Sequence, residues 1–86
     1  SMPYVKQSNR DRIDPLLNPL VNFVCGDADE GNLDYIITRL CLAWEPKTFS
    51  DFATLIGVLD LVSDELKRRR LHPYEDAKMM QNGDIY

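Results

Sequence analysis

Residues 33–44 and 52–62 are apolar on almost every side, with nine of twelve and eight of eleven positions apolar. A helix that is apolar all round is normally buried all round, whereas one small domain covers a single face of each helix. At 86 residues the chain is also near the size at which surface-to-volume scaling leaves a monomer only marginally stable. The surplus apolar surface therefore predicts a second copy of the chain or another partner, and a homo-oligomer is the expectation.

The helical spacing continues outside these runs. Leu16, Leu17, Leu20, Val21 and Val24 recur at helical intervals before Gly26, and Asp14-Pro15 reads as an N-cap followed by proline at the first helical position. Ser8 and Asp11 form a weak capping-box pattern that allows an earlier turn. A second helix is expected from Glu30 or Asn32 to Trp44, where Glu45-Pro46 ends it because a residue before proline leaves the α region. Thr48 to Ser50 offers N-caps for a third helix carrying Phe52, Leu55, Ile56, Leu59, Val62 and Leu66 and reaching Leu71. His72-Pro73 is read as a break, followed by a short fourth helix that Asn82-Gly83 stops. There are no period-two strands and no repeats. The expected class is all-α, a small three- to four-helix bundle, with residues 1–9 an extended N-terminal arm and residues 10–86 a single helical domain.

Composition excludes several functions. A net charge of −4 and a pI near 4.7 argue against general nucleic-acid binding, which needs clustered cations to displace counterions. No apolar run approaches the length of a membrane span, and the opening Met2-Pro3-Tyr4-Val5-Lys6-Gln7 lacks the apolar centre of a signal peptide. Cys25 and Cys41 have no partner at metal-ligand spacing and read as reduced packing residues. The acidic connector from Asp27 to Asn32 superficially suggests a calcium loop. Counted from Asp27, the positions that need glycine and a bidentate Glu hold Asn32 and Thr38, so no metal is expected. The lone His72 has no Ser or Cys placed for a triad, adjacent carboxylates such as Asp64-Glu65 diverge on a helix, and no phosphate-binding glycine loop is present. Gly57, isolated within the third helix, suggests close packing against a neighbouring backbone. The chain does not read as an enzyme, and no cofactor is expected.

Cations supply the candidate site. Lys67-Arg68-Arg69-Arg70 falls in a last helical turn, where cations complement the macrodipole. Extending the apolar stripe from Leu66 by three and four residues lands on Arg69 and Arg70, so at least one arginine stands where a core or interface should continue. Such an arginine either pairs with a carboxylate, for which Glu75 and Asp76 are the internal candidates, or meets an anionic ligand. Arg39 lies four residues after Tyr35 on the side of the second helix away from its main stripe, and Tyr and Arg are enriched at interfaces. The candidate ligand-binding residues are Tyr35, Arg39, Arg69, Arg70 and Tyr74, with Tyr4 and Lys6 of the arm as further contributors.

The opening Met2-Pro3-Tyr4-Val5, Asp11-Arg12-Ile13-Asp14-Pro15, Leu33-Asp34-Tyr35-Ile36-Ile37-Thr38-Arg39-Leu40, Ile56-Gly57-Val58-Leu59, Pro73-Tyr74-Glu75-Asp76 and Asn82-Gly83-Asp84-Ile85-Tyr86 resemble a family of short phage and bacterial proteins without an established biochemical role. In size and assembly alone, the chain also resembles the phage sponges that sequester nucleotide immune signals. These resemblances imply a phage protein of the host cytoplasm. The resulting expectation is a non-catalytic protein that holds a cyclic nucleotide or ADP-ribose derivative of antiphage defence between its copies. The alternative is a non-catalytic interaction or assembly module gripping a host or virion protein.

Overall fold

A computed structural model describes residues 5–86, most of them helical and none in a strand. The elements are α1 (Gln7–Asp27), α2 (Glu30–Ala43), α3 (Phe49–Leu66), a π-helical turn (Lys67–Leu71) and α4 (His72–Asn82). Because α3, the π turn and α4 follow without interruption, the described residues form three continuous helices, in keeping with the all-α expectation. The chain divides into two compact units, Ser1–Glu45 and Pro46–Tyr86.

In the first unit, α1 starts earlier than Asp14-Pro15 implies. Lys6 O accepts from the Asn9 and Arg10 N–H groups (3.0 Å each), and Gln7 Nε2 donates to Asp11 Oδ1 at 2.8 Å. These bonds close a first turn over residues that the sequence assigns to an extended arm, and Lys6 caps the helix. Tyr4 lies outside the described residues. Pro15 and Pro19 consequently sit inside α1. Each lacks the N–H that would bond the carbonyl four residues back, and their four-residue spacing puts both interruptions on one side of the helix.

The acidic connector does what its charge suggests: Asp29 caps α2, its Oδ1 accepting from the Asn32 N–H at 2.8 Å, and Glu30 adds negative charge in the first turn. At the other end Glu45 adopts φ 55°, a left-handed conformation uncommon outside glycine, and donates its N–H to Leu42 O at 3.0 Å. The chain then leaves through Pro46, as expected.

The second unit begins with a complete capping box. Thr48 Oγ1 accepts from the Asp51 N–H at 3.1 Å, and the Asp51 carboxylate accepts from the N–H groups of Lys47 (3.0 Å) and Thr48 (3.2 Å). Those backbone donors, Lys47 first and then Thr48, hold the Asp51 carboxyl below its ordinary value.

His72-Pro73 does not break the helix. Leu71 and His72 keep helical dihedrals, and the His72 N–H donates to Lys67 O five residues back. In a straight α-helix the Pro73 ring would meet the Arg69 carbonyl and leave it without a donor. The wider π turn absorbs one residue ahead of the proline and leaves Pro73 in the first turn of α4, where its missing N–H costs least. His72 is thus an interior residue of a continuous helix rather than part of a break. Gly83, at φ 86°, ends α4 as foreseen, its N–H bonding Met79 O at 2.8 Å.

None of the described residues is buried. Leu20, Val24, Ile36 and Cys41 in the first unit and Leu55 in the second are partly shielded, whereas Leu42 and Leu66 remain 63% and 58% exposed. A Cβ added at Gly57 would meet nothing within 4 Å among the described residues of its own unit.

Candidate functional site

Tyr35 and Arg39 stand one turn apart on α2. The guanidinium lies 5.7 Å from the ring centroid, and Nη1 donates to the Tyr35 hydroxyl at 2.9 Å. A four-residue spacing puts both side chains on one face of the helix, and the ring face and hydroxyl together orient the arginine. Among the described residues Arg39 makes no ion pair, so its charge is oriented but not cancelled. Both side chains are exposed.

The cluster on the π turn is different. Glu65 accepts from Arg68 Nη2 at 3.1 and 2.9 Å and from Arg69 Nε at 2.6 Å. The Arg68 bond, followed by that of Arg69, holds the Glu65 carboxyl below its ordinary value. The sequence pointed forward to Glu75 and Asp76 as internal partners; neither makes an ion pair among the described residues. The partner lies behind instead, three and four residues before the arginines, where helix geometry brings side chains together without a bend in the chain. Arg69, expected at a ligand, is engaged by this carboxylate.

Arg70 makes no hydrogen bond or ion pair among the described residues. Tyr74 follows one turn later, and Lys78 Nζ lies 5.6 Å from its ring centroid. Arg70, Tyr74 and Lys78 follow one another at four-residue intervals, but the extra residue of the π turn shifts them off the line of Leu59, Val62 and Leu66. Lys78 was not foreseen as a candidate, although its spacing from an aromatic residue was visible.

Residues 2–85 match the model of a family described as a domain of unknown function (DUF6899). The chain belongs to this family. No curated protein and no solved structure matches it.

In this DUF6899 chain neither unit gathers all five expected residues. The first holds Tyr35 with Arg39; the second holds Arg69 on Glu65 and Tyr74 with Lys78, and Arg70 joins neither pair. After Gly83 turns the backbone, the C-terminal residues form an open cleft of about 480 Å³ with α4, lined by Tyr74, Met79 and Tyr86 and carrying Lys78 against the carboxylates of Glu75, Asp76 and Asp84, so its charge is on balance negative. The Tyr86 N–H donates to Asp84 Oδ1 at 2.8 Å, which shapes this last turn. Arg69 and Arg70 do not line the cleft. No three His, Cys, Asp or Glu side chains among the described residues converge on a metal position, and Cys25 and Cys41 are free thiols. No described helix is long and apolar enough to cross a membrane.

Proposed function

We propose that this chain is a non-catalytic assembly module whose fold is completed by further copies of itself. The observation that carries this reading is the absence of any buried residue among those described. Helices draw most of their stability from burying an apolar face, and an isolated helix of fewer than about 12–15 residues is marginal in water. With 14 residues, α2 exposes Leu40, Leu42 and Trp44 by more than half. Exposed apolar area of this extent marks interaction surfaces. A second copy is the partner every newly made chain meets, and a symmetric contact doubles each apolar anchor. Native mass spectrometry and sedimentation over a dilution series test the reading. A defined oligomer is expected, and a folded monomer at every concentration overturns it.

A second reading is favoured by two cations. Arg39 and Arg70 have no carboxylate partner among the described residues, and each lies four residues from a tyrosine. Guanidinium groups of this kind, brought together between copies, suit the phosphates and base of a nucleotide-derived signal such as a cyclic nucleotide or ADP-ribose derivative. That would make the protein a phage-encoded sponge acting in the host cytoplasm against antiphage defence. A thermal-shift panel of such compounds, read through Trp44, tests it: one ligand at a hundred times its dissociation constant adds about 2.7 kcal/mol, and a flat panel removes this reading.

A further inference from the structure

The continuous helix of the second unit, residues 49–82, is divided by charge. Residues 49–65 carry Asp51, Asp60, Asp64 and Glu65 and no Lys or Arg, a charge of −4. Residues 66–82 carry Lys67, Arg68, Arg69, Arg70 and Lys78 against Glu75 and Asp76, a charge of +3. The apolar line of Phe52, Ile56, Leu59, Val62 and Leu66 lies on the acidic half and ends where the cations begin, and all five side chains are exposed. A partner for this face must cover an apolar stripe and supply negative charge at its C-terminal end. A second copy of the same helix, running the opposite way, supplies both.

Resting on the assembly reading above, we infer that α3 pairs with α3 of a second copy in antiparallel orientation, centred near Leu59. Apolar matching sets the register. With Leu59 opposite its own counterpart, Ile56 meets Val62 and Phe52 meets Leu66, so the five apolar positions cover one another. The basic π turn of each copy then lies beside the first turn of the partner's α3, which contains a carboxylate at position 51. In a parallel pair the two π turns would stand side by side, with eight cations against two Glu65 carboxylates and like charges also facing along the acidic halves. Such like-charge juxtaposition is the usual means by which helical pairs reject an orientation. Sliding the antiparallel pair to overlap all of residues 49–82 would instead set Leu59 and Val62 against His72 and Arg69, losing the apolar matching.

Site-directed disulfide cross-linking of the full chain decides the orientation, in a background with Cys25→Ser and Cys41→Ser whose native mass is measured in parallel. In the antiparallel pair Leu59→Cys links to itself, whereas Phe52→Cys and Leu66→Cys do not self-link but link to each other when co-expressed. The discrimination is large, because like positions at 52 are then about 21 Å apart along the axis, beyond the roughly 7 Å between Cα atoms that a disulfide tolerates. Leu55→Cys with Ser63→Cys, opposite one another in the same register, gives an independent pair should a change at Leu59 unfold the protein. Self-linking at both 52 and 66 overturns the antiparallel arrangement and leaves the assembly reading standing. An oligomer that links at none of these positions places the interface on another face and also overturns the inference. A folded monomer in the parallel mass measurement overturns the assembly reading itself.

Discussion

Arg39 on α2 and Arg69 in the π turn looked equivalent as embedded arginines, yet their surroundings differ. Arg39 is held by a hydroxyl and a ring face, which orient a guanidinium without neutralising it. Arg69 shares a carboxylate with Arg68. The difference comes from what lies one turn earlier: Tyr35 in one case, Glu65 in the other. A run of cations is therefore a poor guide to an anion site until the residues three and four positions back are read with it.

The largest expected effect tests the two regions as interaction surfaces. Leu59→Asp places an unpaired charge in the proposed contact and should weaken association by about 4 kcal/mol, roughly a thousandfold in dissociation constant. Sedimentation equilibrium reads it, and an unchanged oligomer would remove α3 from the interface. Next, the arginine contrast gives a graded outcome under the nucleotide reading. Arg39→Ala or Arg70→Ala should cost a ligand found in the thermal-shift panel about 1.5–3 kcal/mol, the worth of a charge-assisted hydrogen bond, while Arg69→Ala should leave its affinity nearly unchanged. Equal losses at all three positions, measured by calorimetry, would erase the distinction between a free and a paired guanidinium. A smaller effect concerns the start of α3: Thr48→Ala removes one arm of the capping box and should lower stability by about 1 kcal/mol in chemical unfolding.

The smallest effect is a pH dependence carried by Glu65 and Asp51. Both carboxyls are depressed in the folded protein, so their stabilising contribution is present above their unfolded values of 4.5 and 3.8 and is lost as pH falls through the lower folded values. Thermal midpoints measured from neutral pH down to pH 3 should fall across that acid range. Glu65→Gln with Asp51→Asn should flatten this part of the profile; a profile unchanged by both substitutions would show that neither carboxylate stabilises the fold.

Much of the helical layout is readable from local chemistry. Asp29, Thr48, Pro46 and Gly83 act through their own backbone neighbourhood: α2 begins and ends, α3 begins and α4 ends where these residues suggest. Prolines gave the misleading signals, for a shared reason. Pro15 reads as a helix start only if nothing nucleates earlier, and the bonds around Lys6 and Gln7 do so. Pro73 reads as a break only if the helix keeps its α register, and a π turn of one extra residue removes the clash. Neither bonds distant in register nor a change of helical pitch has a one-residue signature. The candidate site was legible as residue types and spacings, which suffice for Tyr35 with Arg39. They did not reveal that Glu65 would hold Arg68 and Arg69, or that Lys78 would lie on Tyr74, because several i,i+4 choices compete along any charged helix.

If further copies complete this fold, as proposed, helicity depends on association. Native mass and far-ultraviolet circular dichroism, followed together on dilution from micromolar to nanomolar protein, test it most directly. The account predicts an oligomer whose helicity and mass fall together as it dissociates. A monomer that keeps full helicity and unfolds cooperatively at the lowest concentration would contradict it.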